Sequence, residues 1–105
     1  METEYTTREP ARAEVDAMTG AAVIEFGTGW CGYCRRAAPF VAEALGAHGH
    51  VRHIKIEDGS GRRLGRTFNV KLWPTLIFLR DGVEVARLVR PGGTGEIRDA
   101  LAKIV

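Results

Sequence analysis

The apolar positions of this chain switch repeatedly between helical and extended spacing, and the switches divide it into elements. Ala11, Val15 and Met18 recur at intervals of four and three within Arg8–Met18, which predicts a short helix. Pro10 falls where a first helical turn tolerates proline, and Gly20 ends the segment. Ala21–Phe26 is a run of small and β-branched residues interrupted by one charge, Glu25, and predicts a buried strand. Gly27-Thr28-Gly29 is a turn leading out of it. From about Cys34 to Ala47, residues Ala37, Phe40, Val41, Ala44 and Leu45 share one helical face, with Pro39 placed to kink the helix. Val51–Glu57 predicts a second strand through Val51, Ile54 and Ile56. Asp58-Gly59-Ser60-Gly61 reads as a turn, and Arg62–Phe68 as a short basic helix with Leu64 and Phe68 one turn apart. Thr75–Leu79 is a third strand, and Asp81-Gly82 is a hairpin signal joining it to Val83–Val89. After the turn Pro91-Gly92-Gly93-Thr94, a last helix over about Gly95–Lys103 presents Ile97, Ala100, Leu101 and Ile104 on one stripe.

This order predicts an α/β fold, with a central mixed sheet of about four strands. Crossover connections favour parallel strands, the hairpin adds an antiparallel pair, and helices must cover both faces of the sheet. The 105 residues form a single domain, 1–105, large enough for one core without disulfides or metal, with residues 1–7 expected to be frayed. Composition excludes little beyond that. A net charge of +2 implies neither nucleic acid nor a membrane surface, and no apolar run approaches the roughly 18 residues of a membrane span. The basic helix carrying Arg62, Arg63 and Arg66 lacks interleaved aromatics on which bases would stack. The N-terminal Met1-Glu2-Thr3-Glu4-Tyr5 is acidic and has no basic leader, so a cytoplasmic, thiol-reducing compartment is expected. A periplasmic protein trimmed of its export signal would read the same way.

The chemistry concentrates in Trp30-Cys31-Gly32-Tyr33-Cys34, which holds the only two cysteines, directly after the first strand. A disulfide closing so short a loop stabilises a chain by only about 2 kcal/mol, against ~4.7 for a loop of ~100 residues. A pair so poor as a staple is better read as a couple that opens and closes. Cys31 would sit at a helix N-terminus, where unpaired N–H groups and the helix dipole favour a thiolate, and would be the nucleophile. Cys34, one turn deeper, would resolve the mixed disulfide.

From about Arg8 to Val105 the sequence resembles the thioredoxin family. The resemblance rests on a strand followed by Trp30-Cys31-Gly32-x-Cys34, on Pro39 five residues after the second cysteine, on Pro74-Thr75 opening the third strand, and on Gly82 in the hairpin before a terminal amphipathic helix. It implies a thioredoxin-like fold and a thiol-disulfide oxidoreductase that reduces protein disulfides without a cofactor or metal. It further implies a monomer that binds neither nucleic acid nor membrane, and a flavoprotein disulfide reductase as the recharging partner. By the same resemblance Glu25 is a buried acid exchanging a proton with Cys34. Pro74 is in cis beside the cysteines, and Trp30, Gly32, Tyr33, Leu72, Trp73 and the Val89–Pro91 turn with Arg90 line a substrate groove. Arg35, Arg36, Lys71 and Arg90 would favour acidic partners. The sequence departs from the family at Tyr33, where proline is usual, at Trp73, at His53 where a lysine is common, and in a first strand missing or reduced to Tyr5–Thr7.

Other readings stay open at this point. Gly-Tyr between the cysteines also resembles thioredoxin-fold disulfide isomerases, so a disulfide oxidase or isomerase, or a non-catalytic thioredoxin-like partner subunit, is the main rival. A zinc-binding structural module using Cys31, Cys34, His48 and His53 has acceptable ligand spacing, although Pro39 and the strand position of His53 oppose it.

Overall fold

The apolar run Ala21–Gly27 forms an interior strand, β1, buried along its length except at Ala21. In the computed structural model, which describes residues 4–105, it is preceded by α1 (Arg12–Asp16) and followed by α2 (Gly32–Gly46), β2 (Arg52–Glu57) and α3 (Leu64–Thr67). β3 (Thr75–Arg80), β4 (Val83–Val89) and α4 (Thr94–Leu101) complete the chain. The sheet has the order β2-β1-β3-β4, with β1 parallel to β2 and antiparallel to β3, and β3 antiparallel to β4.

Alternation along β1 divides the core in two. Val23 packs with Leu76 and Phe78 of β3 beneath α2 and α4, against Val41, Leu45, Ile97 and Leu101. Ala22, Ile24 and Phe26 face the other way, onto Val15, Leu64, Phe68 and Ile77 on the side of α1 and α3. Glu25 lies two residues beyond Val23 and so points to the α2 side, as do His53 and Lys55, which alternate with Ile54 and Ile56 of the opposite core. The period of the strands therefore gathers the buried polar side chains on the face that α2 covers.

The direction of β3 departs from the parallel arrangement that a crossover after β2 suggests. α3 has only four helical residues, about 6 Å of rise, against roughly 20 Å for a six-residue strand. The connection does not carry the chain back to the far edge; it re-enters beside the C-terminal end of β1, where Thr75 pairs with Phe26. That return sets Pro74 next to the cysteine motif. The hairpin after β3 turns at Asp81 (φ 50°) and Gly82 (φ 78°), the two left-handed residues that the tightest hairpin geometry requires.

Several boundaries differ from the sequence reading. α1 is confined to Arg12–Asp16, with Pro10 ahead of its N-cap Ala11, while Met18 packs on the core from outside the helix. α2 starts at Gly32, with Cys31 as its N-cap, and runs through Pro39. α4 begins at Thr94 and ends at Leu101. The expected fraying of residues 1–7 is corrected for Tyr5–Thr7. The Thr6 N–H donates to the Lys55 carbonyl at 2.8 Å, and the Thr6 carbonyl accepts from the Glu57 N–H at 2.9 Å, which adds a short parallel bridge outside β2. The part of that expectation concerning Met1, Glu2 and Thr3 lies outside the described residues. No helix among the described residues is long and apolar enough to cross a membrane.

Candidate active site

The site forms where β1 ends and α2 begins. Cys31 and Cys34 are both free thiols and both buried, 7% and 3% exposed, so the pair is in its dithiol form. As N-cap, Cys31 offers Sγ to the Cys34 N–H at 3.2 Å, the place usually taken by a Ser or Asp oxygen. An amide of the first helical turn thus points at this sulfur. Cys34 lies deeper. Burial pushes its thiol up to about 11, and the hydrogen bond with the Cys31 side chain adds to this. Hydrogen bonds with the Thr28 backbone and the Tyr5 hydroxyl act in the opposite sense.

Beneath Cys34 sits a buried polar group. Glu25, 0% exposed, accepts from the Tyr5 hydroxyl at 2.8 Å on Oε2 and lies 2.9 Å from His53 Nε2 through Oε1. His53 Nδ1 is buried without a hydrogen-bond partner among the described residues. Lys55 pairs in register with Glu25 across β1 and β2, so a lysine is present on this face alongside His53. Its ammonium lies 4.4 Å from the centre of the Tyr5 ring. Burial, and next the facing Glu25, push the Tyr5 phenol well above its ordinary range, so it stays a hydroxyl. Gly27 leaves the room this group needs. A Cβ there would stand 2.5 Å from Cys34 Sγ and 2.7 Å from the Tyr5 oxygen. A cavity of about 630 Å³ opens above, lined by Tyr5, Thr28, Trp30, Cys34 and Lys55 among others.

The surface around Cys31 is aromatic and cationic. Trp30 is 74% exposed and meets Trp73 edge to face at 5.8 Å between ring centres. Trp73 is anchored by its indole N–H, which donates to Asp58 Oδ2 at 2.9 Å. The Trp73–Pro74 peptide is cis, and Pro74 is buried. Tyr33 is half exposed beneath the Arg90 guanidinium, 3.6 Å from its ring centre, and Arg36 is 5.7 Å away on the same ring. Arg90, with φ at 52°, also donates from Nε to the Trp73 carbonyl at 2.8 Å, while its N–H donates to the Pro74 carbonyl at 2.9 Å. One residue therefore ties the motif's Tyr33 to the Pro74 loop. Leu72 and Val89 are exposed nearby in sequence, and the Leu72 carbonyl accepts from the Thr75 hydroxyl at 2.6 Å.

Two participants escape the sequence reading. Asp58 reads as a turn residue but holds Trp73, and Gly65 approaches it so closely that a Cβ would fall 2.5 Å from Oδ1. Tyr5 sits in a polar stretch with no apolar period to mark it; only the β-branched Thr6-Thr7 that follows hints at extended pairing. The alternative zinc set does not assemble. His53 faces Glu25 inside the fold, His48 packs against His50 at 5.9 Å, and no group of three metal-ligating side chains occurs among the described residues.

A sequence model of the thioredoxin family matches residues 2–103. The chain is 38% identical over 88 residues to the thioredoxin of Chlamydia trachomatis, covering 83% of this chain and 81% of that protein. It is 34% identical over 67 residues to thioredoxin H-type 1 of Nicotiana tabacum, 64% of this chain and 53% of that longer protein. Among solved structures, thioredoxin 2 of Pseudomonas aeruginosa in its reduced form superposes with a TM-score of 0.85 at 54% identity, covering 95% of this chain and 93% of that one. Family match, topology and a two-cysteine motif at the mouth of β1 agree, and the chain belongs to the thioredoxin family.

Proposed function

We propose that this thioredoxin-family chain acts as a reductase of disulfides in other proteins. The observation that supports it is the dithiol pair Cys31 and Cys34, free and buried at the start of α2, in a chain that the thioredoxin-family model matches over residues 2–103. Cys31 attacks a substrate sulfur through the helix amides, Cys34 displaces the substrate from the mixed disulfide, and the pair is left oxidised. Trp30, Trp73 and Tyr33 offer the substrate an apolar rim. A peptide that pairs with the Trp73 carbonyl shares that oxygen with the Arg90 side chain or displaces it. In this reading the protein works as a monomer in the cytoplasm and is recharged by a flavoprotein disulfide reductase.

The reduction potential tests the direction. Fluorescence of Trp30 and Trp73, beside the cysteines, reports the redox state in glutathione buffers. The expected value lies at or below the extracted cytosolic glutathione poise of about −220 to −260 mV. A value near the roughly −180 to −120 mV of isomerases and oxidases would turn the reading to disulfide formation or shuffling.

Glu25 serves as the base for Cys34. With burial holding the thiol up, little Cys34 is ionised unaided at pH 7, and each pH unit upward raises that fraction about tenfold. Replacing Glu25 with Gln is expected to slow the resolving step about tenfold or more at pH 7. The deficit should shrink as pH rises toward 9, because hydroxide then ionises Cys34 without help. Turnover equal to the parent's throughout pH 6–9 would remove Glu25 from the mechanism.

A further inference from the structure

The Tyr5 hydroxyl lies between the acid and the second thiol. It has one hydrogen, and that hydrogen is donated to Glu25 Oε2 at 2.8 Å. With that hydrogen committed to Glu25, the oxygen can engage Cys34 only as an acceptor. The point where a Cβ on Gly27 would stand lies 2.5 Å from Cys34 Sγ and 2.7 Å from the Tyr5 oxygen, so both atoms border the space left by a residue without a side chain. The bridge of Thr6 to Lys55 and Glu57 fixes the segment that brings Tyr5 there.

We propose that Tyr5 is a catalytic proton relay, its hydroxyl accepting the Cys34 proton while passing its own to Glu25. The proposal rests on the reading of Glu25 as the base for Cys34 and names the path between them. During resolution the Cys34 S–H bond breaks toward the Tyr5 oxygen, and the Tyr5 O–H bond breaks toward Glu25 Oε2. The Cys34 electron pair forms the Cys31–Cys34 bond. The bond from Cys31 to the substrate breaks, and the substrate sulfur leaves with that electron pair and takes a proton from water. The substrate disulfide gains two electrons and the cysteine pair loses them. Re-reduction runs the same path backward. A phenol that does not ionise suits this role, since it must exchange one proton for another without holding charge. The titratable and charged groups around it are Glu25 on β1, His53 and Lys55 on β2, Cys34 on α2 and Cys31 at its N-cap; Glu4, Arg35 and Glu57 line the cavity outside.

The test uses stopped-flow reaction of the reduced protein with DTNB, which releases one thiolate when Cys31 attacks and a second when Cys34 resolves. In Tyr5→Phe the first phase should stay within about twofold of the parent, and the second should slow about tenfold or more at pH 7, recovering as pH approaches the range where Cys34 ionises alone. Combining Tyr5→Phe with Glu25→Gln should be no slower than the worse single variant, because both interrupt one path. If Glu25→Gln slows the second phase and Tyr5→Phe does not, the relay is overturned while Glu25 stays the base. If neither slows it, both readings fall. Should both phases of Tyr5→Phe drop together, 3-fluorotyrosine placed at position 5 keeps the ring and changes only the acidity of the hydroxyl. A shift confined to its second phase upholds the relay, and an unchanged second phase overturns it.

Discussion

Replacing Cys31 with serine should reduce insulin-disulfide cleavage to the background rate of the dithiothreitol that drives the assay, a loss of at least about a thousandfold. The reason is chemical before it is structural. A serine hydroxyl is not ionised near neutral pH, and an oxygen at that position cannot enter a disulfide at all. The local fold should survive the change. Cys31 caps α2 by accepting the Cys34 N–H, and serine is among the residues that perform this best. An unchanged urea midpoint beside a flat turbidity trace would therefore assign the loss to the missing sulfur. Precipitation of the insulin B chain at the parent rate would show that another group starts the exchange.

What the sequence discloses about this molecule is mostly what is periodic. The buried run of β1, the amphipathic stripes of α2 and α4, and the Asp81-Gly82 turn are written in neighbouring residues, and the structure places them within a few positions of where the pattern does. The cysteine motif is legible for the same reason, being contiguous and following a strand. Long-range pairing is not written locally. The Arg8–Met18 stripe overstates α1 because Met18 reaches the core from outside the helix. The direction of β3 depends on a short connection whose course no spacing encodes. Tyr5 reaches Glu25 across twenty positions of sequence, held by a single bridge that leaves no alternating pattern. Arg90 carried enough resemblance to be placed in the groove, but its two bonds to the Trp73 and Pro74 carbonyls follow from a left-handed backbone at its own position.

The site also explains why polar residues interrupt otherwise apolar strands. Glu25 costs stability in a core position unless its oxygens are bonded, and the fold supplies Tyr5 and His53 for that purpose. The Tyr5 hydroxyl that bonds Glu25 also hydrogen-bonds Cys34, a thiol that burial pushes up. Each feature is unfavourable alone, and in the proposed mechanism together they give the two sulfurs unequal roles. In that reading the outer one is presented to partners beside the helix amide and the aromatic rings. The inner one waits for an acceptor of its proton.

That division of labour is most sharply exposed by Cys34→Ser. Cys31 would remain at the cap and attack disulfides as before, but no internal sulfur would follow, so each encounter should end as a mixed disulfide. Against DTNB, the variant should release one thiolate per chain where the parent releases two. With a protein disulfide it should accumulate a covalent adduct, visible as a mass shift and cleared by dithiothreitol. Steady-state insulin reduction should fall by at least about a hundredfold, because product release then depends on an external thiol in place of a tethered one held at high effective concentration. Cys34 is 3% exposed, and serine is close to cysteine in shape and can hydrogen-bond the Tyr5 hydroxyl. The variant should therefore fold, and the trapped adduct would itself show that Cys31 is still active. Release of two thiolates, or turnover at the parent rate, would mean that resolution does not pass through Cys34, and the buried acid beneath it would lose its purpose.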